Sequence, residues 1–166
     1  ALLSDAVQRC DIAPEAGRLY ADGLVQRGEH DAAIKQLDAA VALAAEDASL
    51  LVKRGEVFLR KGENAKAVAE ADAALLLDRQ SAAAWRLRAQ ATQRIGDLQR
   101  ALADYHRAAG IESEDRETLL AIAQVHWTLA HQRGSSSQRH FQQSLASLQA
   151  VLDTYQEGEE PQQTLY

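Results

Sequence analysis

The stretch GEHDAAIKQLDAAVAL, Gly28 to Leu43, returns twice in altered form, as GENAKAVAEADAALLL from Gly62 and GDLQRALADYHRAAGI from Gly96. Each copy opens on Gly and an acidic residue, carries Ala five positions after the Gly, and carries Ala again seven later. The copies start 34 residues apart. A fixed period of this length marks a repeat array, in which each unit buries its apolar face only against its neighbours.

Each of these glycines follows a helix-compatible run, over residues 14–27, 48–61 and 82–95. A Gly just past such a run is expected at the left-handed position that ends a helix, where a Cβ costs roughly 1–2 kcal/mol. The acidic residues that follow, Glu29, Glu63 and Asp97, stand where the positive end of a second helix begins. So short a turn forces antiparallel neighbours and predicts a chain of αα-hairpins.

Small residues recur in the same register. Ala21, Gly55, Ala89 and Ala123 form one column, Ala33, Ala67 and Ala101 a second, and Ala6, Ala40, Ala74 and Ala108 a third. Small side chains at a crossing let helix axes approach toward the short end of the 8–10 Å range. Larger apolar residues are expected to fill in around them: Tyr20, Leu24, Leu51, Phe58, Trp85, Ile95, Leu37, Leu75 and Tyr105. A long coiled coil is the rival for such a chain, but 34 is not a multiple of seven and a Gly interrupts every helix pair.

On these residues the chain resembles the tetratricopeptide repeat (TPR) family. Trp85, Ala89, Gly96, Ala101, Tyr105 and Ala108 carry the resemblance. Gly17 and Leu51 depart from the family's aromatic position, and Ala45, Arg79 and Ser113 from its late Pro. The resemblance implies an all-α fold, an α-α superhelix (solenoid) of antiparallel hairpins. One array is expected over residues 1–156, with repeats at 14–47, 48–81 and 82–115. The register makes residues 1–13 the second helix of a truncated repeat, so the chain reads as an excised segment that begins mid-array. Residues 116–156 read as a variant C-terminal hairpin and 157–166 as a flexible tail. In the last helix Phe141, Leu145, Leu148, Leu152 and Tyr155 form an apolar stripe that is expected to close the array.

Composition excludes much else. The net charge of −6 disfavours nonspecific binding to nucleic acid or anionic membranes. Cys10 is the sole cysteine, which excludes an internal disulfide and a multi-thiolate metal site. No apolar run approaches the roughly 18 residues of a membrane span. A preference for Arg over Lys points to a bacterial source. His126, His131 and His140 cluster in sequence, but residues 126 and 131 splay around a helix and no metal-ligand motif is present. No catalytic set, metal or cofactor is expected. Cys10 reads as a small buried hydrophobe, and Ser135–Ser137 as a loop.

What remains is a surface. The resemblance implies that the first helices of successive hairpins line a concave groove that binds a polypeptide. Carried onto this sequence, the groove falls on Arg18, Asp22, Val52, Glu56, Leu59, Arg86, Gln90, Gln93 and Trp127. Glu15, Val25, Ser49, Ala83, Glu117, Leu120 and Gln124 extend it. Arg86 and Gln90 are expected to serve a partner while contributing little to folding. Some members clamp a chaperone's C-terminal carboxylate with Lys and Asn. The matching positions here are Arg18, Asp22, Lys53, Ala83 and Leu87, and Asp22 would repel that ligand. Trp85 is expected in the core, and Trp127 either beneath Phe141 and Leu145 or against a partner. The function expected is a noncatalytic protein–protein interaction scaffold with a protein or peptide partner and no nucleic acid. The alternative is a structural spacer within a larger chain, or a segment that self-associates through its array ends.

Overall fold

The structure, a computed structural model, describes residues 14–132 and 137–156. Eight helices occur among them: α1 (Pro14–Gln26), α2 (His30–Leu43), α3 (Ala48–Arg60), α4 (Asn64–Leu77), α5 (Ala82–Ile95), α6 (Leu98–Ile111), α7 (Arg116–Gln132) and α8 (Ser137–Gln156). No strand occurs among the described residues. The segments 1–13 and 157–166, with Cys10, Ser135 and Ser136, lie outside them.

The turns follow from the glycines. Gly28, Gly62 and Gly96 have φ of 77°, 80° and 99°. At the second turn the Gly62 N–H donates to the Leu59 carbonyl at 3.1 Å, and the Glu63 N–H reaches back to the Phe58 carbonyl at 2.9 Å. The same pair of bonds closes the other two turns. This Schellman arrangement satisfies carbonyls that a helix end leaves unpaired. The acidic residues after the glycines differ in what they do. Asp97 accepts from the Arg100 N–H at 3.1 Å. Glu29 and Glu63 make no cap bond through their side chains. Glu63 instead pairs with Lys61 at 2.7 Å and Lys66 at 2.6 Å.

The first helices of the later repeats start on another column that the sequence reading missed. Asp47 accepts from the Ser49 N–H, Ser81 from the Ala84 N–H and Asp115 from the Glu117 N–H. These three residues are 34 apart, and each caps a helix with a short oxygen-bearing side chain.

The small-residue columns are buried throughout their described members. At Gly55 an added Cβ would stand 2.5 Å from Leu87 Cδ2 and 3.0 Å from Glu70 Cβ, so α3 lies against both α4 and α5. Packing runs between successive helices, and α3 also touches α1 and α5. First helices therefore share one side of the array.

Two packing expectations change. Ile95 is exposed. More consequentially, the leucines of α8 face outward. Leu145, Leu148 and Leu152 are 65%, 40% and 55% exposed, while Ser144 and Val151 are buried. A second helical register, through His140, Ser144, Ser147, Val151 and Thr154, turns toward the array because its smaller members let α8 approach α7 closely. Ser144 Oγ donates to the Ala123 carbonyl at 3.0 Å, and Arg116 Nε donates to Thr154 Oγ1 at 2.9 Å.

Candidate concave binding groove

The shared side of α3, α5 and α7 holds a cleft of about 270 Å³. Glu56, Leu59 and Arg60 come from α3, Ala83, Arg86, Leu87, Gln90 and Arg94 from α5, and Glu117 from α7. It continues into a wider hollow of about 650 Å³ through the shared residues Gln90, Arg94 and Glu117. Gln93, Tyr105, Leu120, Ala121 and Gln124 line that second part.

Internal bonds hold much of this lining. Arg86 Nη1 donates to Asp115 Oδ2, and Gln90 Nε2 donates to Glu117 Oε1 at 3.1 Å, so both residues tie α5 to α7. The expectation that Arg86 and Gln90 contribute little to folding is thereby corrected. Burial works against the Arg86 charge, but the Asp115 bond and the neighbouring acids outweigh it and hold the guanidinium more firmly protonated than usual. Burial likewise raises the Asp115 pKa, but its bonds from Thr118 and Arg86 outweigh that and leave it below the ordinary carboxylate range. Arg94 Nη1 donates to the Leu59 carbonyl. The Tyr105 hydroxyl donates to Gln93 Oε1 at 2.8 Å. Burial raises the pKa of this phenol, so it stays a neutral donor.

The predicted groove residues separate into three groups. Glu56, Leu59, Arg86 and Gln90 line the first part of the cleft, and Gln93 the second. Val52 does not line it. It is 6% exposed and packs in the cluster of Leu51, Leu59, Ala67 and Leu87, because this α3 position turns toward neighbouring helices. Val25 is buried in the first core cluster. Arg18 is exposed on α1. Asp22 is joined to Lys53 at 2.6 Å, and Lys53 also reaches Glu56 at 3.4 Å. The one lysine at a clamp position is therefore occupied by acids of the chain itself. Arg60, Leu87, Arg94, Tyr105 and Ala121 were missed as lining. Tyr105 belongs to a second helix, and nothing local in the sequence marks it as reaching the hollow.

Trp85 packs against the core without being enclosed by it, and Trp127 keeps the expected contact with Phe141 but not with Leu145. Trp85 is half-buried at the edge of the central core, with its indole N–H on the Arg79 carbonyl at 3.0 Å. The guanidinium carbons of Arg88 and Arg107 lie over its ring at 4.6 and 4.5 Å. Trp127 is 52% exposed and lines neither part of the cleft. Phe141 meets it edge-on at 5.2 Å and His131 lies at 4.2 Å, whereas Leu145 points to solvent.

The histidines regroup. His131 faces the Trp127 carbonyl at 2.8 Å. His126 is buried, with its Nδ1 3.3 Å from that of His140 on α8 and its ring 6.2 Å from that of His106 on α6. Among the described residues no group of three His, Cys, Asp or Glu side chains is arranged to hold a metal ion. No described helix is long and apolar enough to cross a membrane.

No protein-family model matches the sequence, and no curated protein resembles it at a significant level. Solved structures do. The first TPR of Spaghetti (RPAP3), bound to the HSP90 peptide SRMEEVD, superposes with a TM-score of 0.67 at 20% identity, over 70% of this chain and 93% of that one. This is a TPR fold. The TPR domain of Arabidopsis OM64 gives 0.67 at 19% identity, over 70% of this chain and 96% of its own. MamA from Desulfovibrio magneticus RS-1 gives 0.73 at 14% identity, over 89% of this chain and 78% of that one.

Proposed function

We propose that this TPR array is a noncatalytic interaction module that takes an extended polypeptide segment along the cleft between α3, α5 and α7. The observation that carries the proposal is the cleft's continuity across three first helices, with cations and acids alternating along it. Glu56, Arg60, Arg94 and Glu117 present both signs to a bound chain. Leu59 and Leu120 offer apolar contact at its two parts. Extended segments of mixed polar and apolar side chains match such a lining better than a small molecule does. The RPAP3 domain carries a peptide, which supports the class of ligand. The ligand of this array differs from that acidic C-terminus, because Lys53 is already engaged by Asp22 and Glu56.

The test is selection of peptides from a random display library on the immobilised protein. Selected peptides should lose binding to Arg60→Glu and Leu120→Glu, and keep it to Lys35→Glu on the second helix α2. Peptides indifferent to both cleft changes but lost with Lys35→Glu would place the working face elsewhere.

A second reading, a spacer or self-associating segment of a larger chain, draws on a different surface. Its support is the outward leucine face of α8. The two readings are compatible.

A further inference from the structure

Two cations of the cleft stand without acids. Arg60 ends α3 and Arg94 lies in the last turn of α5, and the two are 34 residues apart, at equivalent positions of successive repeats. A cation in a last helical turn is favoured by the helix dipole whatever its use. What sets this pair apart is the state of the other charges around it. Glu56 is paired with Lys53 at 3.4 Å, Arg86 with Asp115, and Glu117 with the Gln90 amide at 3.1 Å. Among the described residues Arg60 and Arg94 form no ion pair, although both are exposed and line the same cleft.

One of the two is held in place. Arg94 Nη1 donates to the Leu59 carbonyl, which also takes the Gly62 N–H at 3.1 Å. That carbonyl belongs to the peptide link between Leu59 and Arg60, so the Arg94 guanidinium stands beside the backbone of Arg60. Its Nε and Nη2 have no partner among the described residues. Two guanidinium groups in a cleft of about 270 Å³ favour an anion between them, and the planar fork of arginine matches a carboxylate.

We infer that Arg60 and Arg94 form a seat for one carboxylate side chain of the bound segment, with an apolar residue roughly three positions away lying over Leu120. The inference rests on the cleft reading and deepens it by naming the residue that the cleft selects. Neither arginine occupies one of the clamp positions. Arg94 belongs to both parts of the cleft, and Leu120, 48% exposed, to the wider one. A step of about 10 Å from α5 to α7 equals about three residues of extended chain. On α7 the Glu117 carboxylate is bonded only to a neutral amide and keeps its charge, so it repels an acid there and leaves the α3 end as the place for one.

The test is display selection of random peptides on the full chain, followed by titration of the synthetic peptides. Selected peptides should share an Asp or Glu with an apolar residue about three positions away. Replacing that acid by its amide should weaken binding to the parent protein roughly tenfold, and should change nothing further in the double variant Arg60→Gln with Arg94→Gln. Arg60→Gln alone removes no bond of the fold. It should weaken the acidic peptide roughly three- to tenfold and leave the amide peptide unchanged. Peptides that lose binding to Leu120→Glu yet carry no acid, or bind equally as acid and amide, would overturn the seat and leave the cleft reading standing. Peptides indifferent to Leu120→Glu would overturn both. A phosphoserine that bound more than about tenfold tighter than glutamate at the same position would reassign the arginines to a phosphate and overturn the carboxylate assignment.

Discussion

Arg88 holds Asp104 through two parallel bonds, Nε to Oδ2 at 2.8 Å and Nη2 to Oδ1 at 2.9 Å, and the aspartate is 2% exposed. The remaining Arg88 nitrogen, Nη1, reaches Asp72 on α4 at 2.6 Å. One guanidinium thus joins α4, α5 and α6. The same figure stands one repeat earlier, where Arg54 takes Asp38 on α2 at 2.7 Å and Glu70 on α4 at 2.9 Å. All three positions recur 34 residues on.

Asp104→Ala should therefore cost roughly 2–3 kcal/mol, because it strips a two-bond partner from a mostly buried cation. Asp72→Ala, whose carboxylate is about half exposed, should cost under about 1 kcal/mol. Urea unfolding of the two variants checks the order. Equal losses would mean that burial does not set the value of the bridge.

Two glycines inside helices should respond to alanine with opposite signs. An added Cβ at Gly23 meets nothing within 4 Å, so Gly23→Ala should stabilise by about 0.5–1 kcal/mol through helix propensity. Gly55→Ala gains the same propensity but drives a methyl into Leu87 and Glu70, for a net loss of roughly 1–2 kcal/mol. Thermal melts that shifted in the same direction would refute the close approach of α3 to α5.

The caps supply a third measurement. Ser81→Ala removes the oxygen that takes the Ala84 N–H at 3.2 Å and should cost about 1 kcal/mol. Ser81→Asp should retain the stability, since Asp already fills the same position at Asp47 and Asp115. A melt unchanged in Ser81→Ala would show that the cap is energetically idle.

Acidification should weaken the last hairpin. Burial comes first, and then the His140 and His106 charges, in lowering the pKa of His126 below its ordinary 6.5. The folded state thus binds this proton less readily than the unfolded chain. Stability from this source is complete above about pH 6.5, and is lost as pH falls below that value toward the depressed folded one. Amide exchange in α7 and α8 should accelerate between pH 7.5 and pH 5.5 more than exchange in α3 and α4, and His126→Phe should flatten the difference. Acceleration spread evenly over all helices would rule out a local histidine effect.

How far the sequence could be read follows from what each position excludes. A positive φ admits little besides glycine, so Gly28, Gly62 and Gly96 marked the turns unaided. A close crossing admits only small side chains, so Ala33, Ala67 and Ala101 marked the packing. The cap column stayed hidden because Asp and Ser serve it equally well. On α8 two helical registers overlap, and hydrophobicity alone favoured the leucines over the smaller set that α7 admits. The groove was half legible. Glu56, Leu59, Arg86, Gln90 and Gln93 followed from the TPR resemblance carried over position by position, but the partners of Arg86 and Gln90 lie 29 and 27 residues away. Only the folded chain brings those partners together, and only it shows Val52 turned inward.

The arginine bridges carry a mechanical consequence. Arg54 spans α2 and α4, and Arg88 spans α4 and α6, so each sets the distance between successive outer helices. That distance fixes how tightly the coil is wound. The exposed carboxylate of each bridge, Asp38 or Asp72, is open to mobile ions, whereas Glu70 and Asp104 are sheltered from them. Added salt should therefore loosen the link across each repeat boundary before the link within a repeat, and relax the winding of the array with it.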